Sequence, residues 1–317
     1  MRLTSREKEI LEVLKKNPMA SQEELADKFS ITRSSVAVHI SNLMKKGVIL
    51  GKGYVFNEQV TVVVLGEIYQ KTQIESLDHP DKIDVMFSGS GYEMSKLFAR
   101  FGMNIKTVSV VGNDDLADMV LAELQEAEVD TANIIRLSNY RTCRKVLVNN
   151  KVMYSEELPS NEYRKAIEIK EGVVFNCEWL IVEPGLQEIV HLKSINKAEE
   201  KLPNFCTYYY PGYPEQIPDY LQRFSVIVIG VEDSAESLDY YIKQGKEMLS
   251  GEQLYVITDG RDRLIYISNE GSDDFPLLMG QSLGGIKGLA RLSAGIVYGL
   301  SCNYPVRQSI RIGIGAT

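Results

Sequence analysis

Cysteine and histidine are both scarce in this 317-residue chain. The four cysteines, Cys143, Cys177, Cys206 and Cys302, are scattered, with no CxxC pair and no histidine beside them. That argues against a disulfide framework or a zinc site and for reduced thiols. The three histidines, His39, His79 and His191, lie far apart, so no metal or His-based catalytic site is expected. No stretch approaches the roughly 18 apolar residues that a membrane span needs. The N-terminus has no apolar core behind its charges, unlike a signal peptide. A cytoplasmic protein without membrane contact is the expectation. Positive charge is also in short supply, with 35 Lys/Arg against 43 Asp/Glu and a net of −8. Such a chain cannot be coated in nucleic acid; any DNA contact must be local.

The positive charge is indeed concentrated. Residues 1–58 hold ten Lys/Arg and seven Asp/Glu, a net of +3, which leaves −11 on the remainder. Within that segment, Thr4-Ser5-Arg6-Glu7 and Ser21-Gln22-Glu23-Glu24 both have the S/T-x-x-E form of a capping box. Each precedes an apolar-periodic run, Ile10, Leu11, Leu14 and then Leu25, Ala26, Phe29. The turn Phe29-Ser30-Ile31 leads to Thr32, a cap for a third helix over 33–46. There Val36, Ile40 and Leu43 form a buried stripe and leave Arg33, Ser34, Ser35, Val38 and His39 on the free face. Two short β-runs follow, Val48-Ile49-Leu50 and Tyr54-Val55-Phe56, around Gly51-Lys52-Gly53.

Three capped helices and a small hairpin resemble a winged helix-turn-helix over residues 3 to 57. The resemblance implies a double-stranded DNA operator as partner. The third helix would enter the major groove, with Arg33, Ser34, Ser35, Val38 and His39 toward the bases or phosphates and Lys45, Lys46 and Lys52 on the backbone. One such module binds weakly, so a homodimer reading two half-sites is expected.

From residue 59 the pattern changes. Thr61-Val62-Val63-Val64-Leu65-Gly66 is an apolar β-branched run, as expected of a strand covered on both faces. Strand-like runs recur at 107–111, 173–182, 226–229 and 254–258, with helical patterns at 93–101, 116–127, 217–224 and 234–249. This alternation predicts an α/β fold with a doubly wound, mostly parallel sheet. A hairpin at 143–155, turning at Asn149-Asn150, interrupts it as a small β lid or dimerisation flap. The expected domains are 1–58 and 59–317, joined at the short Asn57-Glu58-Gln59.

The body resembles the ribokinase (PfkB) family of sugar and nucleoside kinases over residues 60 to 317. The motifs that carry this are Ser88-Gly89-Ser90-Gly91-Tyr92-Glu93 with its following helix, Val111-Gly112-Asn113-Asp114, Val256-Ile257-Thr258-Asp259-Gly260, and Ala294-Gly295-Ile296-Val297-Tyr298-Gly299-Leu300. The departures fall on the family's working residues. Gly66-Glu67-Ile68-Tyr69-Gln70-Lys71 lacks the sugar-gripping Asn-x-Asp, and Glu93 replaces a substrate-binding Asn. Val231 and Ser234 fall where the family has its metal-linked Asn-x-x-Glu. Ala290 falls on the aspartate of the Gly-Ala-Gly-Asp signature, the base for the acceptor hydroxyl. No acidic residue occurs in Gly284-Gly285-Ile286-Lys287-Gly288-Leu289-Ala290-Arg291.

The resemblance with these departures implies a pseudokinase with no catalytic residue, no metal and no cofactor. Its body would sense a small-molecule effector (a sugar, nucleoside or related metabolite) and mediate dimerisation for a transcriptional regulator. The competing expectations are an active kinase using ATP and Mg²⁺ with an autoregulatory DNA module, and a scaffold that only dimerises. Gly89, Ser90, Gly91, Glu93, Gly285 and Lys287 are the expected ligand contacts. The two glycine clusters read equally as tight turns. Tyr208-Tyr209-Tyr210-Pro211-Gly212-Tyr213 reads either as a stacking surface or as packing.

Overall fold

The computed structural model describes residues 4–17, 20–45, 49–51, 55–56, 60–76, 82–198, 202–232, 234–277, 283 and 285–316. Lys46, Lys52, His79, Gly284, the expected joint at 57–59 and the wing tip at 52–54 lie outside them, as does the side chain of Lys45. The chain divides into two compact units, Met1–Gln59 and Val60–Thr317.

In the first unit, α1 (Ser5–Lys16), α2 (Gln22–Phe29) and α3 (Arg33–Lys45) precede the antiparallel β1 (Ile49–Gly51) and β2 (Val55–Phe56). Both capping boxes close. Thr4 accepts from the Glu7 amide at 3.2 Å while the Glu7 carboxylate takes the Thr4 amide at 2.7 Å. Ser21 and Glu24 repeat this at 3.1 and 2.7 Å. Each box satisfies two amides that a bare helix end would leave unpaired. Ser30, at φ 51°, ends α2 in the left-handed conformation, and Thr32 accepts the Ser35 amide to start α3. Ile10, Leu14, Leu25, Val36, Ile40 and Leu43 pack between the helices.

The second unit is built on β3 (Val60–Leu65), β4 (Tyr69–Glu75), β5 (Lys82–Ser88), β6 (Ile105–Gly112), β7 (Ile134–Leu137), β8 (Arg144–Val148), β9 (Lys151–Ser155), β10 (Cys177–Val182), β11 (Asn204–Tyr209), β12 (Val226–Gly230), β13 (Leu254–Thr258), β14 (Arg263–Ser268) and β15 (Gly271–Pro276). Its helices are α4 (Ser90–Arg100), α5 (Asp115–Glu126), α6 (Ser160–Ile169), α7 (Glu171–Val174), α8 (Gln187–Ser194), α9 (Ala235–Met248), α10 (Gly285–Ser301) and α11 (Val306–Gly315). A nine-stranded sheet runs β15-β14-β13-β12-β11-β10-β3-β6-β7, its pairings parallel except for the two that β14 makes with β13 and β15. Alternate residues bury on opposite faces: Val62, Val64, Val226 and Val228 on one side, Val63, Leu65, Ile227 and Ile229 on the other. That two-sided burial is why the strands read as unbroken apolar runs.

The expected hairpin belongs to a larger, separate sheet of order β5-β4-β8-β9. Asn149 and Asn150 form its turn at φ 48° and 63°, the positive values that asparagine tolerates. Two expected elements differ. Within 173–182 only Cys177–Val182 is strand, because Glu171–Val174 makes a short helix whose Val174 joins the same core. Short apolar runs do not distinguish the two conformations. The expected helix at 217–224 is a 3₁₀ turn, Asp219–Arg223, since Pro218 disfavours helical geometry at Ile217.

Candidate functional site

On α3, Arg33 is well exposed and lies 3.6 Å from Glu23, a loose surface pair. Ser34 and Val38 are exposed, and Ser35 and His39 half-buried. Ser35 also exchanges a hydroxyl hydrogen bond with Thr32 at 2.9 Å, so its side chain is partly committed to the helix start.

In the second unit, chain direction divides at β3. The chain runs first through β6 and β7 on one side, then returns to β10 on the other. In open α/β sheets the crevice at such a reversal, beyond the carboxyl ends of the strands, takes ligands. Gly66-Glu67 follows β3 there, Glu183 follows β10, and Tyr208 lies near the end of β11. A cavity of about 340 Å³ opens at this point. Its walls include Glu67, Tyr69, Ser88, Gly89, Ser90, Glu93, Lys145, Glu183, Tyr208, Lys287 and Ala290.

Of the residues singled out from sequence, Gly89, Ser90, Glu93 and Lys287 meet at this cavity, as does Ala290. Gly91 is inside the first turn of α4, packed on the end of β3. A Cβ there would come within 2.7 Å of the Gly66 carbonyl, and one on Gly89 within 2.3 Å of the Glu67 carbonyl. Both glycines therefore permit the close approach of α4 to β3. Gly285 opens α10 at φ 72°.

Two charge clusters dominate. The Glu93 carboxylate takes Lys287 Nζ at 2.6 Å and an Arg291 guanidinium nitrogen at 2.9 Å. Burial by itself pushes its pKa up, but the hydrogen bonds and charges of Lys287 and Arg291 win and hold it below the usual carboxylate value. The replacement on α4 thus ties down both basic residues in the first turns of α10, and the cluster keeps one net positive charge. In the same cavity, Glu183 is 7% exposed and accepts both the Ser90 hydroxyl and, at 2.8 Å, the Glu67 amide. Burial, then the charge of Glu67, pushes its pKa up to about 8. Glu67 in turn holds Lys145 of β8 at 2.8 Å, and that ammonium sits 4.3 Å from the Tyr69 ring centre. Burial pulls Lys145 down, yet Glu67 outweighs it and its pKa stays above the ordinary lysine value.

Glu67, Lys145 and Glu183 were not among the residues expected from sequence. Glu183 did carry a signal: a carboxylate directly after the apolar strand 177–182 stands where ligands of parallel sheets bind. Lys145 could not be placed without the pairing of β8 with β4, which brings it to the cavity.

The positions aligned with phosphoryl-transfer chemistry are built differently. Ala290 is 1% exposed and offers no proton acceptor. Val231 is 1% exposed, and Ser234 caps α9 by accepting the Ser237 amide at 3.1 Å. Leu289 packs on Gly230, where a Cβ would lie 2.7 Å from the leucine and from the Tyr210 ring. Among the described residues no group of three or more His, Cys, Asp or Glu is placed to hold a metal. Asp114 has a structural part: it accepts from the Ala117 amide at the start of α5 and from the Thr142 amide and hydroxyl. Ala290, Val231 and Ser234 therefore offer no carboxylate at the positions aligned with the family's base and metal-linked pair.

Comparison with known proteins agrees with this architecture. The profile of winged helix-turn-helix DNA-binding domains matches residues 3–49. That of the pfkB family carbohydrate kinases matches residues 61–276. The uncharacterized sugar kinase YeiI of Escherichia coli (strain K12) is 36% identical over 156 residues, 47% of this chain; the match spans 43% of that protein. Among solved structures, the ribokinase of Thermotoga maritima superposes with a TM-score of 0.61 at 15% identity, over 81% of this chain and 91% of that one. The Arabidopsis thaliana ribokinase complexed with ribose and ATP gives 0.60 at 10% identity, over 81% and 91%. At such identities the likeness is one of fold. Among the described residues no helix is long and apolar enough to cross a membrane. With the family's profile spanning residues 61–276, the chain belongs to the pfkB family of carbohydrate kinases, fused to a winged helix-turn-helix DNA-binding domain.

Proposed function

We propose that this protein is a ligand-responsive transcriptional regulator whose kinase-like domain binds a small polar metabolite without phosphorylating it. The observation that carries this reading is Glu93 ion-paired to Lys287 and Arg291 beside Ala290. Phosphoryl transfer needs positioned charge for the phosphates and a base for the acceptor hydroxyl. Here the aligned base is a methyl group, and both nearby cations are engaged by Glu93. The cavity nevertheless persists. At about 340 Å³ it lies within the usual range for small-molecule sites. Arg33, Ser34, Ser35, Val38 and His39, with Lys45, Lys46 and Lys52, would carry the DNA contacts.

The DNA reading calls for two copies, and the lid sheet supports one way to join them. Pairing register puts Ile74, Ile83, Val85, Val146, Val148 and Tyr154 on one face. Ile83 is 61% exposed, Val85 59% and Tyr154 49%. A second copy of this face is the natural cover for such a patch.

The experiment is selection of an operator from random duplexes with the full chain, followed by operator affinity with and without sugars and nucleosides. A metabolite that changes affinity establishes sensing, and linkage requires operator DNA to change metabolite affinity by the same factor. Selection of no sequence, or no response to any metabolite, refutes the reading.

A further inference from the structure

A second cavity, about 370 Å³, adjoins the first and shares Glu67, Glu157, Glu183 and Gly185 with it. The carboxylates therefore stand where the two cavities meet. Tyr163 of α6 lines the second cavity, and Tyr69 and Lys145 come from the lid sheet into the first. Glu93 is neutralised by Lys287 and Arg291. Among the described residues, what is left at the junction is Glu67, engaged by the Lys145 ammonium that also sits by the Tyr69 ring, the buried Glu183, which keeps its proton near neutral pH, and Glu157, whose charge has no cation opposite it. Both hydrogen bonds to Glu183 go to Oε2, which leaves Oε1 to carry the carboxyl proton or, once that is lost, to accept from a ligand's donor.

An independent observation points to a ligand in the same place. Tyr208 is 1% exposed and lines the first cavity, and its hydroxyl is buried with no hydrogen-bond partner. The Ser90 hydroxyl, already donated to Glu183, is its polar neighbour, and Glu183, Glu67 and Tyr69 lie within electrostatic reach. A buried hydroxyl left without a good hydrogen bond is destabilising, and a polar ligand would remove that cost.

We propose that this junction binds an amine-bearing polyol or sugar, its ammonium among Glu67, Glu157 and Glu183 and its hydroxyls toward Ser88, Tyr208 and Lys145. The inference rests on the ligand-binding reading above and adds the chemical class. An anion would meet these carboxylates, since Lys287, with the spare positive charge of the Glu93 cluster, borders the first cavity and not the second. A neutral polyol would leave the excess carboxylate charge unpaired. An ammonium offers donors to these acceptors and balances the charge.

The test uses matched pairs that differ by an amine: D-glucamine against D-glucitol, D-glucosamine against D-glucose, and D-galactosamine against D-galactose. Each is titrated calorimetrically into the full chain at pH 7. The expected result is an aminated member binding roughly 10- to 100-fold tighter than its parent, the worth of one charge-assisted hydrogen bond. Glu157→Gln should erase most of that preference. Glu157 is exposed and its substitution leaves the core untouched, so loss of binding there is not loss of fold. Parents that bind as tightly as their amines overturn the amine class and leave metabolite sensing standing. A panel without any binding, or a preference unchanged in Glu157→Gln, also overturns it, while the operator response to sugars and nucleosides remains the separate test of sensing.

Discussion

Replacing Glu183 with glutamine should make the protein more stable at pH 9 and change it little at pH 5. The carboxyl is buried, and burial together with the Glu67 charge pushes its pKa from the ordinary 4.5 to about 8. Folded protein therefore keeps a proton on Glu183 across a window in which the unfolded chain has lost it. A raised folded-state value gives a contribution that is whole below 4.5 and is lost as pH rises through 8. Each pH unit in the window is worth about 1.4 kcal/mol, so the full effect approaches roughly 5 kcal/mol if Glu67 and Lys145 do not rearrange. Glutamine has the shape of the protonated acid and can still accept from Ser90 and the Glu67 amide, but it has no proton to lose. The assay is urea unfolding from pH 5 to 9, followed by the fluorescence of Trp179, buried on β10 close to Glu183 in sequence. Comparing variant with wild type cancels the titration of every other group. A difference that stays constant from pH 5 to 9 would refute the argument, as would one that favours the wild type at high pH.

Further outcomes follow from other parts of the molecule. Arg33→Ala should weaken a selected operator by about 1–3 kcal/mol without unfolding α3, because the side chain is exposed and only loosely paired with Glu23; an unchanged affinity in a salt-matched gel shift would remove this residue from the interface. Light scattering at tens of micromolar should give at least a dimer, and Val85→Asp on the exposed lid face should shift it toward monomer; a monomeric wild type would end the lid-face proposal. Glu93→Ala should lower stability by about 1–3 kcal/mol, since it leaves Lys287 and Arg291 facing each other across a part-buried wall, discounted because both cations reach solvent. Chemical denaturation checks it, and Glu93→Gln should recover part of the loss.

Sequence reasoning went furthest where one local rule decides the structure. The capping boxes at Thr4 and Ser21 place α1 and α2 almost to the residue, because each satisfies its own helix end. The apolar runs through Val62–Leu65 and Val226–Ile229 mark strands covered on both sides. The lid was seen only as its turn. Asn149-Asn150 announces a hairpin, but Tyr69–Glu75 is largely polar and its strand exists by pairing with β5 and β8. The site was half legible for the same reason. Glu93 and Lys287 could be named as unusual residues at motif positions, yet only folding brings them within 2.6 Å. Glu67, Lys145 and Glu183 come from three separate strand ends and become a cluster through sheet order alone.

The central claim is that the kinase-like domain binds without phosphoryl transfer. Its direct test is product formation by the purified full chain with ATP and Mg²⁺ over a panel of sugars and nucleosides, run alongside Ala290→Asp. Neither protein should form a phosphorylated product. Restoring one carboxylate in a buried wall leaves Val231, Ser234 and Glu93 where the family's other working groups would stand, and groups that act as one catalytic unit are strongly non-additive. Turnover by the wild type at ordinary kinase rates, on the order of 1–100 s⁻¹, would contradict the account and make the protein an active kinase with a DNA-binding module.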